Sequence, residues 1–299
     1  MGTVFHFICY AEDSIKAADA TLAAIERIET LNNILSDYHP DSELNRLCNN
    51  MVSGKYTAVS DELWYLLKKA IAVSAQTRGL FDVTAGNCIK LWRRAKRKHT
   101  IPPKKAIAQC KEAGGFNNVK LATGKQVTFN VDGLKLDFGG IAKGYTADEV
   151  YKVFLKHNIE RVLIDAGGDI YCGKAPPQKE GWEVIVSSGL KNKTKTLLLT
   201  QQAVATSGDM YRFFEIDGIR YSHIINPLKG KPLTKRIATT VVAPNAEKAD
   251  YLASVLNVIG LKNKAKKIMK KHPKSYAFIF EKRKNKVVEK FINTKKAKP

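Results

Sequence analysis

The chain is organised around one stretch, Leu134-Lys135-Leu136-Asp137-Phe138-Gly139-Gly140-Ile141-Ala142-Lys143-Gly144-Tyr145-Thr146-Ala147-Asp148. Alternating apolar residues before the glycines predict a β-strand, and the residues after the glycines predict a helix. At such a corner, backbone N–H groups and the helix N-terminus can face a phosphate. Glycines there also permit a tight turn and close packing of strand against helix. The local sequence leaves both interpretations open.

The remaining sequence favours an α+β fold of largely antiparallel sheets with packed helices. Hairpin-turn sequences outnumber strand–helix–strand crossovers, and they occur at Thr123-Gly124, Asp132-Gly133 and Asp217-Gly218. No Pro/Ser-rich linker divides the 299 residues. We therefore predict a single domain over residues 1–299, with two lobes as an alternative arrangement. A basic helix and a hairpin are predicted at about residues 261–299.

Two amphipathic helices are predicted from apolar residues at helical spacing. The first follows a candidate cap at Asp13 or Ser14. Its apolar residues are Ile15, Ala18, Leu22, Ile25 and Ile28. The second helix runs from Asn245 to about Ile259.

The formal net charge is +22 at pH 7. Such a charge favours three classes of partner: nucleic acid, an anionic membrane surface, or an acidic ligand. Lysines crowd the last quarter of the chain, where the predicted basic helix and hairpin indicate a solvated basic face. No zinc-ligand spacing or aromatic RNA-binding strand accompanies them. We therefore predict no nucleic-acid partner and retain contact with a membrane surface as a hypothesis.

The five cysteines are odd in number and widely spaced: Cys9, Cys48, Cys88, Cys110 and Cys172. None belongs to a C-x-x-C pair. The sequence therefore predicts neither a disulfide framework nor a zinc site.

His223 lies in the segment Tyr221-Ser222-His223-Ile224-Ile225-Asn226-Pro227. If this segment is a strand, alternation places Tyr221, His223 and Ile225 on one face. The histidine is then either a half-buried residue with a satisfied hydrogen bond or a general base, because imidazoles ordinarily titrate near neutral pH.

Four acidic or hydroxyl side chains are candidates for ligand binding. Asp250 and Ser254 are four residues apart on the second predicted helix, so their oxygens lie on one face. They could contribute to a Mg²⁺ site, because Mg²⁺ takes few protein ligands and adds water and substrate phosphate oxygens; a solvated helix face is the alternative. Asp137 and Asp169 lie close to glycine pairs, where a carboxylate either orients a ligand or caps a turn.

Eight segments in a fixed order resemble the FAD:protein FMN transferase family, also called the ApbE family. They are Met1-Gly2-Thr3; Leu35-Ser36-Asp37-Tyr38 with Ser42-Glu43-Leu44; Phe81-Asp82-Val83-Thr84 with Leu91-Trp92; Leu136 to Tyr145; Gly167-Gly168-Asp169; Ala205-Thr206-Ser207-Gly208-Asp209; His223-Ile224-Ile225-Asn226-Pro227 with Gly230-Lys231-Pro232; and Ala249-Asp250 through Ser254 to Gly260.

The resemblance implies a one-domain α+β fold and Mg²⁺-dependent transfer of FMN from FAD to a threonine or serine hydroxyl of an acceptor protein. The acceptor would be a protein such as a redox-pump or electron-transfer subunit, and AMP would be released. In phosphoryl transfer, positioning and charge neutralisation dominate catalysis. Two alternatives stay open: an FAD pyrophosphatase that yields FMN and AMP, and a non-catalytic flavin carrier.

The resemblance also implies residue roles. Asp250, Ser254 and the backbone carbonyl of Ala142 would bind Mg²⁺ against the FAD pyrophosphate. His223 would be the base, with Asp137 as the alternative. FAD would be bound by residues of four segments: Leu35, Ser36 and Tyr38; Leu80, Phe81 and Asp82; Gly139, Gly140, Lys143 and Tyr145; His223 and Ile224.

Two positions depart from the family pattern. Asn226 stands where the family usually has the aspartate of a His-x-x-Asp-Pro motif, so a carboxylate is lost. Ser254 replaces a threonine, which keeps the hydroxyl but loses a methyl group that restricts the rotamer. We expect the second change to weaken metal binding.

Family members usually work outside the cytoplasm, tethered by a leader. We therefore expect an extracytoplasmic location, in the periplasm or on the outer face of the inner membrane. A signal or lipoprotein leader would precede Thr3 in the natural precursor. A cytoplasmic location is the alternative.

Overall fold

The computed structural model describes residues 2–189, 194–210, 212–284 and 286–294. Met1 of the first family segment lies outside these ranges, as do residues 285 and 295–299 of the predicted C-terminal segment. The helices of the described chain are α1 (Ser14–Leu35), α2 (Glu43–Asn50), α3 (Asp61–Thr77), α4 (Gly86–Lys98), α5 (Lys104–Glu112), α6 (Ala142–Lys156), α7 (Ala246–Ile259) and α8 (Asn263–Met269). None of these helices has the combined length and apolarity needed to cross a bilayer.

The strands are β1 (Phe5–Tyr10), β2 (Thr57–Ala58), β3 (Val119–Ala122), β4 (Gln126–Phe129), β5 (Arg161–Ala166), β6 (Asp169–Cys172), β7 (Trp182–Ser187), β8 (Thr194–Leu199), β9 (Gln202–Gly208), β10 (Phe213–Ile216), β11 (Ile219–Ser222), β12 (Ile225–Asn226), β13 (Lys231–Pro232), β14 (Ile237–Ala243), β15 (Tyr276–Arg283) and β16 (Lys286–Asn293). Every strand pairing among the described residues is antiparallel. The predicted α+β class with largely antiparallel sheets is confirmed.

The chain divides into two compact units. Unit 1 comprises Leu31–Gly139 and Tyr211–Lys235, and unit 2 comprises Gly2–Thr30, Gly140–Met210 and Arg236–Pro299. A single domain over residues 1–299 stays a prediction. Helix α8 and the β15–β16 hairpin lie where the basic helix and hairpin were predicted.

Unit 1 combines α2 to α5 with three small sheets, ordered β2-β4-β3, β10-β11 and β12-β13. The β10–β11 turn has positive φ at Asp217 (51°) and Gly218 (71°), which is the backbone that a two-residue hairpin requires. A core cluster joins α4 and α5 to β11, with the Trp92 and Tyr221 rings stacked at 5.4 Å.

Cys88 of α4 and Cys110 of α5 form a disulfide bond. The sequence-based prediction of no disulfide was therefore wrong for this pair. The two cysteines are 22 residues apart, and the packing of α4 against α5 brings them together. The spacing of the two cysteines in the sequence does not predict that packing.

Unit 2 is built on a seven-stranded sheet ordered β1-β5-β6-β9-β14-β15-β16. On one face, Phe7 of β1 contacts Phe154 of α6, with ring centroids 5.6 Å apart. The opposite face is covered by the β7–β8 hairpin, whose Trp182 and Leu199 join a core cluster with Tyr276 of β15. Helix α7 begins where predicted, after Asn245, whose side chain accepts a hydrogen bond from the Lys248 N–H group.

Helix α1 forms as predicted, but the apolar stripe that predicted it is not its buried face. Ile15, Leu22 and Ile25 are 71%, 60% and 43% exposed, whereas Ala20 and Ala24 are fully buried. The helix packs through small residues that allow close approach. The large apolar side chains of its first half therefore lie on the outer side, whereas Leu31 and Leu35 near its C-terminal end are buried.

The central stretch also differs from the prediction, because residues 134–138 form no strand. The alternating apolar residues are buried as expected, but the backbone pairs with a loop. Gly86 N–H donates to the Lys135 carbonyl (3.2 Å), and Asp137 N–H donates to the Val83 carbonyl (2.8 Å). After the glycines, α6 begins at Ala142, as predicted.

Asp148 of α6 caps the N-terminus of α7. Its carboxylate oxygens accept hydrogen bonds from the N–H groups of Ala246 (2.8 Å) and Glu247 (2.9 Å). Burial raises the pKa of Asp148 from 3.8 to about 7, against the opposing effect of these two hydrogen bonds. The folded state therefore retains a proton on Asp148 at pH values where the unfolded chain has released it.

We expect the free energy of unfolding to fall as the pH rises from about 4 to about 7, because a raised carboxyl pKa stabilises the folded state only while the group is protonated. The contribution of Asp148 should be on the order of 4 kcal/mol. Asp148→Asn should remove this contribution to the pH dependence of the free energy of unfolding. Asp19→Asn, at an exposed position of α1, serves as the control. Urea unfolding at several pH values measures it, and an unchanged slope in Asp148→Asn would contradict this assignment.

Candidate functional site

In unit 1, the segment after α1 forms a loop that is fixed by Ser36. The Ser36 hydroxyl accepts hydrogen bonds from the N–H groups of Tyr38 (3.3 Å) and His39 (3.2 Å), and its carbonyl accepts one from the Ser42 hydroxyl (2.6 Å). Leu35 and Ser36 are buried, whereas Tyr38 is 66% exposed. The loop therefore presents the Tyr38 ring at the surface.

Arg93 of α4 lies between two carboxylates. Its guanidinium contacts Asp37 and bonds to the Asp137 Oδ2 atom at 3.0 Å, and it lies 4.5 Å from the Tyr38 ring centroid. Asp137 Oδ1 accepts a hydrogen bond from the Gly139 N–H group (2.8 Å). Burial and the neighbouring Asp37 raise the pKa of Asp137 to about 6, although Arg93 acts in the opposite direction.

Sequence reasoning missed Arg93 and Asp37 as a pair. Arg93 was one residue of a basic run, and its carboxylate partners lie 56 and 44 residues away along the chain. The only local signal was the position of Asp37 inside a family-like segment.

Leu80, Phe81 and Asp82 lie just before a short 3₁₀ turn. Leu80 and Phe81 are buried. Asp82 Oδ1 accepts hydrogen bonds from the Thr84 N–H (2.9 Å) and hydroxyl (2.6 Å) groups, and Oδ2 accepts one from Phe116 N–H (3.1 Å). Burial raises the pKa of Asp82. Both carboxylate oxygens are therefore occupied by hydrogen bonds within the protein. Contact of Asp82 with a ligand stays a prediction.

His223 lies in the bend between β11 and β12, not in a strand. The predicted common face is therefore wrong: Tyr221 and Ile225 are buried, but His223 is exposed and Ile224 is half-buried. The Arg212 carbonyl lies 2.9 Å from His223 Nδ1 and accepts the His223 backbone N–H at 3.0 Å. If Nδ1 donates to that carbonyl, a neutral ring carries its proton on Nδ1, and Nε2 can accept one.

In unit 2, Asp250 of α7 reaches the first turn of α6. Its Oδ2 atom accepts a hydrogen bond from Gly144 N–H (3.1 Å) and lies 3.7 Å from Lys143 Nζ, which also contacts Asp169. The Asp169 and Asp250 side chains are only 4% and 6% exposed. Burial and the charge of Asp169 raise the pKa of Asp250 to about 7. In these contacts two buried carboxylates face one ammonium group, so the cluster has a formal negative charge.

Of the residues predicted to bind Mg²⁺, Asp250 lies in this cluster, and Ala142 and Ser254 lie close to it along α6 and α7. Ala142 is the first residue of α6, and its carbonyl accepts a hydrogen bond from the Thr146 hydroxyl (2.8 Å). Ser254 is half-buried one turn beyond Asp250. Across the described ranges, no group of three or more His, Cys, Asp or Glu side chains could hold a metal alone. One carboxylate with a hydroxyl and a carbonyl still fits Mg²⁺, which usually takes one or two carboxylates and substrate phosphates.

The glycines of the corner have different environments. A Cβ atom on Gly144 would lie 2.2 Å from the Ala246 carbonyl oxygen, so this glycine permits close packing of α6 against the start of α7. Gly139 is exposed, Gly140 is half-buried and Tyr145 is buried. The packing interpretation therefore applies at Gly144, and phosphate binding at Gly139 and Gly140 stays a prediction.

The chain matches the ApbE family over residues 1–280. An FAD:protein FMN transferase from Treponema pallidum is 31% identical over 261 residues, which cover 80% of this chain and 72% of that relative. One from Vibrio cholerae is 29% identical over 267 residues, 87% of this chain and 79% of the relative. The solved structure of the flavin transferase ApbE from Vibrio cholerae superposes with a TM-score of 0.87 at 26% identity, covering 98% of this chain and 94% of that one. The ApbE protein from Thermotoga maritima gives 0.83 at 25% identity, with coverage of 98% and 94%.

Proposed function

Because the chain belongs to the ApbE family, we propose that it is an FAD:protein FMN transferase that attaches FMN to a threonine or serine hydroxyl of an acceptor protein. The observation that carries this proposal is the buried anionic cluster at the start of α6, where Asp250 and Asp169 face Lys143. Such a cluster suits the cation that accompanies a pyrophosphate substrate. The named activities of the relatives support the same reaction.

The proposed reaction is a displacement at phosphorus. The acceptor hydroxyl oxygen forms a bond to the phosphorus of the FMN half of FAD, and the bond from that phosphorus to the bridging oxygen breaks. AMP leaves with the bridging oxygen, and the hydroxyl proton passes to a base. Positioning and electrostatic neutralisation supply most of the acceleration in such reactions.

Asp250, Ser254 and the Ala142 carbonyl are the residues that would hold Mg²⁺. When bound, Mg²⁺ would neutralise the charge of the pyrophosphate. Lys143 Nζ lies 3.7 Å from Asp250 Oδ2, and its contact with Asp169 holds its ammonium group at the cluster. The arrangement supports the proposed metal site.

His223 is the proposed base for the acceptor hydroxyl. The Arg212 carbonyl orients the ring through Nδ1, so Nε2 is the atom that would receive the proton. A hydroxyl is a weak nucleophile while it keeps its proton, and a positioned base typically adds about 10²–10⁴ in rate.

Intact mass spectrometry of a co-expressed candidate acceptor tests the function. The transferase should add one FMN to the acceptor and release AMP, and it should leave FAD intact when no acceptor is present. An FAD pyrophosphatase would produce FMN and AMP from FAD and Mg²⁺ alone. A flavin carrier would bind FAD and release neither product, and either of these results would overturn the proposal.

We propose an extracytoplasmic location, with contact between the enzyme and an anionic membrane surface. The Cys88–Cys110 disulfide supports this location, because disulfides persist mainly in oxidising compartments. The exposed lysines of α8, such as Lys264 and Lys267, support membrane contact at about 1 kcal/mol per well-placed lysine.

Cell fractionation with thiol alkylation checks this location. We expect the protein of the full-length gene in the periplasmic or membrane fraction, partly released by high salt, with Cys88 and Cys110 resistant to alkylation until a reductant is added. A cytosolic product whose Cys88 and Cys110 are both alkylated without reductant would contradict the proposal.

A further inference from the structure

We propose that Arg93 is a positioning residue for the flavin nucleotide. It ties the Ser36–Tyr38 loop to Asp137 and holds the exposed Tyr38 ring as a platform for a flat heteroaromatic ring of FAD. The inference deepens the proposed function and rests on it for the identity of the ligand.

Three contacts of one guanidinium carry the inference. Nη1 contacts Asp37, Nη2 bonds to Asp137 Oδ2 at 3.0 Å, and the carbon at the centre of the guanidinium lies 4.5 Å from the Tyr38 ring centroid. The Asp37 and Asp137 side chains are 11% and 8% exposed, and that of Arg93 is 34% exposed. A partly buried arginine between two carboxylates loses little freedom on binding, because the protein already fixes its geometry.

Asp137 extends this connection to two further segments. Its N–H group donates to the Val83 carbonyl (2.8 Å), directly after Asp82, and its Oδ1 accepts the Gly139 N–H (2.8 Å). Arg93 therefore joins three segments that were predicted separately to bind FAD: the Tyr38 loop, the Leu80–Asp82 segment, and the glycine corner. Arg93 can therefore fix the positions of the unit 1 residues of these segments relative to one another.

Tyr38 explains why this connection serves a ligand and not the fold alone. Tyr38 is 66% exposed, and Arg93 holds its ring in place. Such a ring offers a surface on which another flat ring can stack. Holding a loop side chain in its binding conformation before the ligand arrives lowers the entropy cost of binding. Arginine suits this role because its planar fork bonds two carboxylates while its face covers an aromatic ring, and lysine cannot do both.

Binding measurements on matched variants test the inference. Flavin fluorescence gives the Kd for FAD and FMN, and calorimetry gives the Kd for AMP. Arg93→Met should weaken FAD binding by about tenfold or more, the size expected for one cation–π contact with one immobilised side chain. Arg94→Met, at the exposed neighbouring position on α4, should bind as wild type does. The ring that stacks on Tyr38 is identified by which of FMN and AMP the Arg93→Met variant binds more weakly.

Further variants separate positioning from folding. Asp37→Ala releases the loop but keeps the Arg93–Asp137 pair, so it should weaken FAD binding while the unfolding midpoint stays near that of wild type. Arg93→Lys should bind FAD about as weakly as Arg93→Met does, because the ammonium group of lysine cannot replace the planar guanidinium fork. Tyr38→Leu and the Arg93→Met/Tyr38→Leu double variant should lose about as much as Arg93→Met, because Arg93 acts through Tyr38. In turnover, KM for FAD should rise while kcat changes by less than about threefold.

Several results would overturn the inference: wild-type affinity for FAD in Arg93→Met or Asp37→Ala, full rescue by Arg93→Lys, or additive losses in the double variant. If wild type binds FAD but labels no acceptor, the proposed function fails, and these affinities still decide the role of Arg93. If wild type binds none of FAD, FMN and AMP, both fail.

Discussion

Replacing Asp250 by alanine is expected to lower FMN transfer by roughly a thousandfold while FAD binding largely survives. Asp250 supplies the only carboxylate of the predicted Mg²⁺ donor set, and charge neutralisation of this kind is worth several kcal/mol, with about 1.36 kcal/mol for each tenfold in rate. The Lys143–Asp169 contact does not involve Asp250 and should remain in the variant. The loss should therefore come from the metal site and not from disruption of the cluster.

Two measurements check the Asp250 prediction. The first is the rate of acceptor labelling at saturating FAD over a Mg²⁺ titration. The second is the Mg²⁺-dependent rise of the unfolding midpoint, which should be present in wild type and absent from Asp250→Ala. Asp19→Ala, at an exposed position of α1, is the matched control and should behave as wild type. Full transfer activity in Asp250→Ala would remove Asp250 from the metal site.

Replacing His223 by alanine is expected to lower transfer by about 10²–10⁴, or about 3–5 kcal/mol of transition-state stabilisation, with little change in FAD affinity. The ring is exposed and oriented through the Arg212 carbonyl, and in the proposed role it would accept the proton of the acceptor hydroxyl. Wild-type activity should fall on the acidic side of the pH–rate profile as the imidazole becomes protonated. The residual activity of His223→Ala should lack that limb.

The pH–rate profile distinguishes loss of a base from loss of binding. His6→Ala, at an exposed position of β1, should keep both the rate and the acidic limb. If His223→Ala keeps the limb, or loses rate only because FAD no longer binds, His223 is a binding residue. Asp137 was the alternative base, but Arg93 and Gly139 engage both of its carboxylate oxygens. The structure therefore favours His223.

Features encoded within a few neighbouring residues could be predicted from the sequence. Asn245 caps α7 through a hydrogen bond to a residue three positions on, and Asp217-Gly218 adopts the two positive φ angles of a tight hairpin. The start of α6 after the glycines was predicted for the same reason. Each of these signals depends on backbone preferences and hydrogen bonds within one turn, so the residues themselves fix the outcome.

The family-like segments were also visible in the sequence, but the environments of their residues were not. His223 is exposed beside the buried Tyr221 and Ile225, because the chain bends between β11 and β12 instead of continuing as a strand. Asp250 is buried against Lys143 and Gly144, although helical spacing alone allowed a solvated position. Both residues were named from the sequence before their surroundings were known, and their roles stay predictions.

The contacts that join distant segments could not be predicted from the sequence. The Cys88–Cys110 bond, the outward position of Ile15 on α1, and the contacts of Arg93 with Asp37 and Asp137 depend on which helix faces meet. Such contacts link residues tens of positions apart, where packing of complementary surfaces outweighs local preference. The secondary structure near turns and caps and the family of the chain could be read from the residues alone, because those signals are local or occur in a fixed order along the chain. The charge balance around Asp137 and Asp250 was set by the fold, because burial and neighbouring charges exist only once distant segments have packed.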